Sequence, residues 1–311
     1  MPITVVGSIA YDTVRTPFGE RERMLGGAAV HFALAASFFD AVCVVGPVGE
    51  DFGEEQLEVM RRRGIDVSGI ERIDGGRTFF WEGEYGWDLN TRETIDTQLG
   101  VFEGFQPKLT PASLAADVLF LANIQPDLQR EVRRQLPDAR FVALDSMNLW
   151  IEIARDSLVA AIESVDCVIL NDAELRQLTG RPNLVQAARE ILGWGPSVIV
   201  AKQGEYGAAL VTREGFFALP AYPLEEVIDP TGAGDTFAGG LVGYIAAHPE
   251  EEIGDALLRR AMAHATVLAS FNVEQFGTER LERLEGSEIL ARTGELQSMT
   301  QFSGAPLTLR G

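Results

Sequence analysis

A short glycine-rich segment, Gly232-Ala233-Gly234-Asp235 (the glycine turn), holds the residues best suited to chemistry in this sequence. It follows an apolar strand end and precedes a run of helical length that reaches Ala247. Glycines free the backbone to adopt open conformations, and the N–H groups at a helix start attract an anion such as phosphate. A carboxylate repels phosphate, so Asp235 fits a different task, which is to accept the proton of a hydroxyl group that attacks the phosphate. The alternative is an ordinary helix N-cap, since short glycine motifs are common.

Apolar segments spaced along the chain must form the framework that positions this turn. Helices are predicted at Gly27–Phe39 and Glu54–Arg63. Short buried strands are predicted at Ile3–Ile9, Val42–Val45, Val118–Leu121, Phe141–Leu144, Cys167–Leu170 and Val198–Ala201. Strands that are apolar throughout and alternate with helices imply a parallel sheet covered on both faces, and therefore an α/β fold. Because no linker, repeat or low-complexity tract divides residues 1–311, the chain is predicted to be a single domain.

The segment from Arg77 to Val101 breaks this rhythm, because its residues alternate with the period of two that is typical of a half-exposed strand. The turn residues Asp88-Leu89-Asn90 divide it into a predicted antiparallel hairpin. One face of the hairpin is aromatic and consists of Phe79, Trp81, Tyr85 and Trp87. Because a hairpin cannot bury such a face alone, it must cover a pocket, a partner subunit or both, or else pack on its own domain.

The charge balance excludes several classes of partner. The chain contains 26 Lys and Arg against 46 Asp and Glu, which gives a formal net charge of −20. Nucleic acid and anionic membrane surfaces attract cationic proteins, so neither is an expected partner. Lys108 and Lys202 are the only lysines, and neither follows a glycine, which rules out a Walker A phosphate loop.

The histidines and cysteines exclude further chemistries. His31, His248 and His264 are too scattered for an HExxH motif or a three-histidine zinc site. Cys43 and Cys167 stand alone, without a CxxC motif, which favours a reducing compartment. The N-terminus lacks the basic start and apolar core of a signal peptide, so the predicted location is the cytoplasm.

Several segments, in the right order, resemble motifs of the ribokinase-like (PfkB) family of carbohydrate kinases. The resemblance spans roughly Ile3 to Gly277, nearly the whole chain. It rests on Gly7-Ser8-Ile9-Ala10-Tyr11-Asp12, Gly26-Gly27-Ala28-Ala29, Val48-Gly49-Glu50-Asp51-Phe52-Gly53, Asn171-Asp172-Ala173-Glu174, Lys202–Gly207 and Asp229–Gly240. The resemblance implies a three-layer α/β/α fold with a mostly parallel central sheet. It also implies a small β-sheet lid, with lid segments near 12–25 and 77–105.

The resemblance also implies a reaction and the residues that perform it. Asp235 would be the general base, and an anion hole would be formed by the backbone N–H groups of Gly232, Ala233 and Gly234. Glu174, with Asn171, would organise Mg²⁺, mostly through water. The spacing of Asn171 and Glu174 equally fits a helix capping box, and one pair can serve both purposes.

Substrate sites follow from the same resemblance. On the acceptor side it implies Asp12, Gly26, Gly27, His31 and Asp145. On the nucleotide side it implies Asn171, Lys202, Gly204, Gly207 and Thr231. Read without the resemblance, Asp12 fits a turn residue and Lys202 fits a solvated surface lysine.

Two departures from the family leave the acceptor open. Many relatives carry asparagine where this chain has His31, so His31 either contacts an unusual acceptor or is a satisfied histidine on a helix face. The aromatic lid face suits a nucleobase as well as the apolar face of a sugar ring. A homodimer through the lid is a further expectation from the family.

The predicted activity is that of an ATP-dependent, Mg²⁺-requiring kinase whose acceptor is a hydroxyl group of a small sugar or polyol. The alternatives are a nucleoside kinase of the same family and a catalytically silent sugar- or nucleotide-binding protein. A dehydrogenase is a weaker alternative, because no Gly-x-Gly-x-x-Gly motif follows the first predicted strand.

Overall fold

The structure, a computed structural model, describes residues 1–301 and contains two sheets within them. Its strands are β1 (Ile3–Val6), β2 (Ala10–Thr16), β3 (Gly19–Gly26), β4 (Val42–Gly49), β5 (Asp66–Ile73), β6 (Phe79–Tyr85), β7 (Arg92–Gln98), β8 (Val118–Leu121), β9 (Phe141–Asp145), β10 (Cys167–Asn171), β11 (Val198–Lys202), β12 (Ala208–Thr212) and β13 (Phe216–Leu219). Its α-helices are α1 (Ala28–Ala36), α2 (Glu54–Arg62), α3 (Pro111–Leu114), α4 (Pro126–Gln135), α5 (Asn148–Ile153), α6 (Arg155–Ile162), α7 (Asp172–Thr179), α8 (Leu184–Leu192), α9 (Ala233–Ala246), α10 (Asp255–Asn272), α11 (Glu279–Arg283) and α12 (Gly286–Thr300). Two 3-10 helices cover Gly100–Phe102 and Gly204–Tyr206.

The large sheet has nine strands in the order β13-β12-β11-β10-β9-β8-β1-β4-β5. Strands from β11 through β5 in this order run parallel, whereas β12 and β13 are antiparallel. Alternate residues of the parallel strands enter different hydrophobic cores. Val5, Phe120 and Ile169 pack with α1, α9 and α10, whereas Val6 and Leu121 pack with α4, α6, α7 and α8. Helices therefore cover both faces of the sheet, and the predicted α/β fold with a mostly parallel central sheet is confirmed.

Small residues bring α9 close to the two helices beside it. A side-chain carbon at Gly239 would lie 2.3 Å from the backbone oxygen of Phe32 in α1, so only glycine fits there. On the other side, Gly240 packs against the backbone of Ala265 in α10. Every residue of α1 is buried. This close packing fixes where α9 begins, and therefore where the glycine turn lies.

The small sheet has the strand order β3-β2-β6-β7 and is built from both segments in which the lid is predicted. Two antiparallel hairpins, β2–β3 and β6–β7, are joined by parallel pairing of β2 with β6. Asp51 anchors both hairpins to the main body. Its carboxylate accepts hydrogen bonds from the backbone N–H and the hydroxyl of Thr78, both at 2.8 Å, and pairs with Arg23 at 3.2 Å.

Some boundaries differ from the sequence-based expectation. The first strand ends at Val6 rather than Ile9, and the first helix covers Ala28–Ala36 rather than Gly27–Phe39. Trp87 is not part of the aromatic strand face, because β6 ends at Tyr85 and the Trp87 side chain is 91% exposed in the turn. The predicted domain, residues 1–311, includes 302–311, which lie outside the described residues. No helix within residues 1–301 is long and apolar enough to cross a membrane.

Candidate active site

Neighbouring parallel strands β9, β10 and β11 end in the polar residues Asp145, Asn171 and Lys202. Asn171 and Lys202 face each other in the register of the sheet. The carboxyl ends of parallel strands are where α/β folds gather ligand-binding groups. Lys202 donates a 2.7 Å hydrogen bond from Nζ to Asp145 Oδ2, and the two side chains are only 18% and 5% exposed. Lys202 is therefore an internal cation, and its interpretation as a solvated surface lysine is wrong.

The glycine turn lies beside this ion pair. Gly232 precedes α9 with a φ of 74°, a left-handed conformation that favours glycine. Lys202 Nζ would lie only 3.0 Å from a side-chain carbon at Gly234, so the cation borders the turn. Of the three predicted anion-hole donors, Ala233 N–H donates to the Pro230 carbonyl at 3.2 Å, whereas the N–H groups of Gly232 and Gly234, and that of Asp235, have no backbone acceptor within residues 1–301. The turn therefore presents at least two donors next to a positive charge.

Asp229 stabilises the backbone that leads into this turn. Its buried carboxylate accepts a 2.9 Å hydrogen bond from Thr231 N–H and a 3.0 Å bond from Gly277 N–H. Gly277 lies in the loop after α10, so Asp229 ties the entry to α9 to that loop. Asp229 opens the motif described above, and both oxygens of its carboxylate bond to backbone N–H groups.

Asp235 lies in the first turn of α9 and is half-buried. Burial raises the pKa of Asp235, and the positive charges of Lys202 and Arg92 partly offset this effect. A raised pKa makes a carboxylate a better acceptor for the proton of a hydroxyl group. The nearby cations favour the ionised form, which is the form that can accept a proton.

Lys202 is surrounded by carboxylates. Burial alone would lower its pKa, but Asp145, Glu174 and Asp235 together raise it above the usual value. Burial raises the pKa of Asp145 to about 6, against the opposing effect of Lys202. Lys202 therefore stays charged near neutral pH, and it is a cation that an incoming phosphate can share with these acids.

Asn171 and Glu174 form the predicted capping box at the start of α7. Asn171 Oδ1 accepts from Glu174 N–H at 2.7 Å, and Glu174 Oε2 accepts from Asn171 N–H at 2.9 Å. Burial raises the pKa of Glu174 to about 7. No cluster of three or more His, Cys, Asp or Glu within residues 1–301 is suited to hold a metal ion. The amide oxygen of Asn171 and the carboxylate of Glu174 are groups of the kind that Mg²⁺ takes from proteins, usually together with several waters.

The acceptor-side residues of the small sheet face the same cleft. Asp12, in β2, is 6% exposed and packs directly against Gly26, while Gly27 caps the start of α1. Asp12 therefore lies in a strand, and its interpretation as a turn residue is wrong. Burial raises the pKa of Asp12 to about 7, and the negative charge of Asp235 contributes to the shift. The two acids are thus near enough to influence each other across the cleft.

Two residues predicted for the acceptor side make contacts that the sequence did not indicate. Asp145 is bonded to Lys202, and His31 is 1% exposed beneath Gly232. A role of either residue on the acceptor side stays a prediction. On the nucleotide side, Gly204 and Gly207 follow Lys202 in one loop. Their roles in binding stay predictions.

The lid is closed over this cleft. Thr231 donates a hydrogen bond from its hydroxyl to the Tyr85 hydroxyl at 3.2 Å, which links the glycine-turn entry to β6. Asn90, at the hairpin tip, donates to Glu205 Oε1 at 3.1 Å. Trp81 and Tyr85 share a small hydrophobic cluster with Ile228, just before the glycine turn. The aromatic side of the hairpin therefore covers the site on its own chain.

Arg92 is a residue that the sequence interpretation missed. It begins β7, and its charge helps to lower the pKa values of Asp12, Glu174 and Asp235, three acids from different parts of the chain. The lid thus brings a cation to the cleft. One signal was available, because Arg92 is the only cation between residues 79 and 98, among several acids.

Comparison with known proteins bears on the family and the fold of the chain. A family model described as pfkB family carbohydrate kinase matches residues 3–283. The cytidine kinase of Thermococcus kodakarensis is 33% identical over 268 residues, which cover 84% of this chain and 95% of the relative.

Solved structures of similar fold include the ribokinase of Arabidopsis thaliana, complexed with ribose and ATP. It gives a TM-score of 0.76 at 20% identity and covers 94% of this chain and 98% of its own. The nucleoside kinase of Burkholderia thailandensis, in complex with inosine, gives 0.78 at 20% identity and covers 95% and 99%. These matches confirm the predicted ribokinase-like fold. The chain belongs to the pfkB family of carbohydrate kinases, phosphotransferases whose acceptor is an alcohol group.

Proposed function

We propose that this protein is an ATP-dependent kinase that phosphorylates a hydroxyl group of a nucleoside, with Asp235 as the general base. The observation that carries the kinase activity is the juxtaposition of Asp235, the free N–H groups of the glycine turn and the internal cation Lys202. ATP as the donor is supported by the similar fold of a ribokinase complexed with ATP.

In the proposed step, the acceptor hydroxyl oxygen attacks the γ-phosphorus while the bond from that phosphorus to the bridging oxygen of ADP breaks. The hydroxyl proton passes to the Asp235 carboxylate. The N–H groups of Gly234 and Asp235 stabilise negative charge on the transferred phosphoryl group, and Lys202 and Arg92 add positive charge. The products are ADP and a phosphate monoester, and the proton on Asp235 is then released to solvent.

Mg²⁺ bound near Asn171 and Glu174 would neutralise charge on the ATP phosphates. These residues would act mainly through water, because each already has one side-chain oxygen engaged in the capping box. The lid would exclude water, which otherwise competes with the acceptor for the γ-phosphate.

A nucleoside is favoured over a free sugar or polyol by one observation. A cytidine kinase is 33% identical to this chain over a match that covers 95% of the cytidine kinase. The aromatic pair Trp81 and Tyr85 beneath the lid is compatible with this choice, since a nucleobase can stack on such rings. The Asp12 carboxylate, close to Gly26, would accept hydrogen bonds from acceptor hydroxyls.

A panel assay tests the acceptor. We expect ADP release from ATP and Mg²⁺ to rise strongly with one or more nucleosides, and only weakly with ribose, fructose or other free sugars and polyols. Coupled ADP detection with identical acceptor concentrations measures this, and mass spectrometry identifies the phosphorylated product.

The other outcomes discriminate between the alternatives. A strong response to a free sugar and none to nucleosides would replace the nucleoside by a sugar and leave the kinase activity intact. Silence across the panel, with ATP still bound, would favour the catalytically silent binding protein.

We also propose that two copies associate through the lid. β7 is an edge strand of the small sheet, its side chain Ile95 is 46% exposed, and Leu99, directly after the strand, is 45% exposed. An exposed edge with apolar side chains is a ready surface for pairing with another strand.

Light scattering after size exclusion should give twice the chain mass for the natural protein and the single-chain mass for Ile95→Glu. Leu290→Glu, at a 70% exposed position of α12, is the matched control. A natural protein that elutes as a monomer would contradict this proposal.

A further inference from the structure

A buried hydrogen-bond network lies under the glycine turn, outside the groups that contact the reacting atoms in the proposed step. It joins His31 in α1, Thr236 in α9 and Asn272 at the end of α10. Asn272 and Thr236 are fully buried and His31 is 1% exposed. Each residue thus comes from one of the three helices that pack closely together through small residues.

The partners fix the direction of every hydrogen bond in this network. The Thr231 carbonyl can only accept, so the amide nitrogen of Asn272 must face it, at 2.7 Å. The other side of the amide, Oδ1, therefore accepts from the Thr236 hydroxyl and from His31 Nδ1, both at 3.0 Å. His31 consequently carries its proton on Nδ1. Burial lowers the pKa of His31, which keeps the ring neutral in this position.

The ring of His31 also touches the glycine turn directly. A side-chain carbon at Gly232 would lie 2.4 Å from His31 Nδ1, so the ring and the turn are in close contact. Asn272 binds the residue before this turn, Thr231, and the residue after it, Thr236. The network therefore forms hydrogen bonds on both sides of the segment that presents the N–H groups of Gly234 and Asp235.

We propose that His31 is a positioning residue, which holds the glycine turn in place through its Nδ1–H bond to Asn272 rather than by contacting the acceptor. This role is an alternative to the contact with the acceptor that the sequence predicted for His31. His31 lies one helical turn after Gly27, so α1 would connect the acceptor side of the cleft to the phosphate side. This proposal depends on the phosphoryl transfer proposed above, but not on which acceptor is used.

Two substitutions separate the hydrogen bond from the packing of the ring. His31→Phe keeps an aromatic ring against Gly232 and removes the donor. His31→Asn loses the ring but places an amide N–H at the same number of bonds from the backbone as Nδ1–H. We expect kcat to fall about tenfold in His31→Phe and to stay within about threefold of wild type in His31→Asn. In both variants KM for ATP and for the acceptor should change little.

A measurement without catalysis accompanies the kinetics. Hydrogen–deuterium exchange of the peptide that covers residues 229–237 should become about tenfold faster in His31→Phe and should be close to wild type in His31→Asn. Exchange can be measured even if no acceptor is found, so failure of the proposed activity and failure of this proposal give different results. Asn272→Leu should reproduce the His31→Phe effect, and the two changes together should be less than additive.

Three results would overturn the proposal. A raised KM for the acceptor at unchanged kcat in His31→Phe would mean that His31 contacts the acceptor. Equal losses in His31→Phe and His31→Asn would mean that the donor does not matter. Wild-type exchange and turnover in His31→Phe would mean that His31 does not position the turn. A thermal unfolding midpoint close to that of wild type serves as the control that each variant is folded.

Discussion

The Asp235→Asn variant is expected to lose turnover by about 10³-fold, within the range that a positioned general base contributes. Asparagine has nearly the same shape as aspartate, but its amide does not accept the proton of the attacking hydroxyl group. ATP should still bind, because the N–H groups of the turn and the cation Lys202 remain in place. Steady-state ADP release measures the turnover, and calorimetric titration measures ATP binding.

Asp255→Asn provides the matched control for this experiment. Asp255 occupies the first turn of α10 as Asp235 occupies the first turn of α9, but its side chain is 47% exposed and pairs with Arg259. The control should keep wild-type turnover. If Asp235→Asn also kept it, another group would have to take the proton, and the assignment of the general base would be wrong.

Replacing Asp12 by asparagine is expected to lower kcat/KM for the acceptor by about 10- to 100-fold and to leave KM for ATP unchanged. In the proposed site, the Asp12 carboxylate accepts hydrogen bonds from acceptor hydroxyls, and a bond to a charged group contributes about 1.5–3 kcal/mol.

The same change, Asp12→Asn, should stabilise the protein above neutral pH. Asp12 is 6% exposed and is not part of an ion pair within residues 1–301, so its ionised form is costly in the folded state.

The pH dependence of this second effect has a definite sign. Asp12 has a pKa of about 7 in the folded protein, against an ordinary value of 3.8, so the folded state binds the proton more tightly than the unfolded state. The stability that this tighter binding provides is fully present below pH 3.8, declines as the pH rises, and is lost above about pH 7. The gain in free energy of unfolding on Asp12→Asn should therefore grow between pH 4 and pH 8.

Chemical denaturation at several pH values measures this gain, and Asp74→Asn, at an exposed position, is the control. A gain that shrinks as the pH rises would show that Asp12 is not held in a costly ionised state. An unchanged KM for the acceptor at full activity would separately remove Asp12 from the acceptor site.

The parallel centre of the fold was predictable because its strands are apolar along their whole length. The predicted strand at Val118–Leu121 matches β8, and the next three predicted strands match β9, β10 and β11 to within one residue. β12 was missed although four of its five residues are apolar and buried, whereas β13 and β5 were missed for a physical reason. β13 is partly exposed, with Phe216 50% accessible, and β5 has no buried residue, so neither forms a continuous apolar run.

The contacts of the site were harder to predict than its residue types. The glycine turn and the capping box of Asn171 and Glu174 could both be predicted from the spacing of their residues. The Lys202–Asp145 pair joins residues 57 positions apart, and the His31–Asn272 bond joins residues 241 apart. Such contacts depend on the order of strands and the packing of helices, which local patterns do not encode. Arg92 was overlooked for a related reason, because its importance comes from the acids it faces rather than from its neighbours in the chain.

In the proposed mechanism, the two sheets supply different groups to the reaction. Asp145, Asn171 and Lys202 come from the large sheet and Asp235 from the helix packed on it, whereas Asp12, Trp81 and Tyr85 come from the small one. Substitutions at hairpin positions such as Trp81 can therefore change which acceptor fits, provided that Arg92, in the same hairpin, keeps its charge near the site. This separation gives protein engineering a route to new acceptors on the same large sheet.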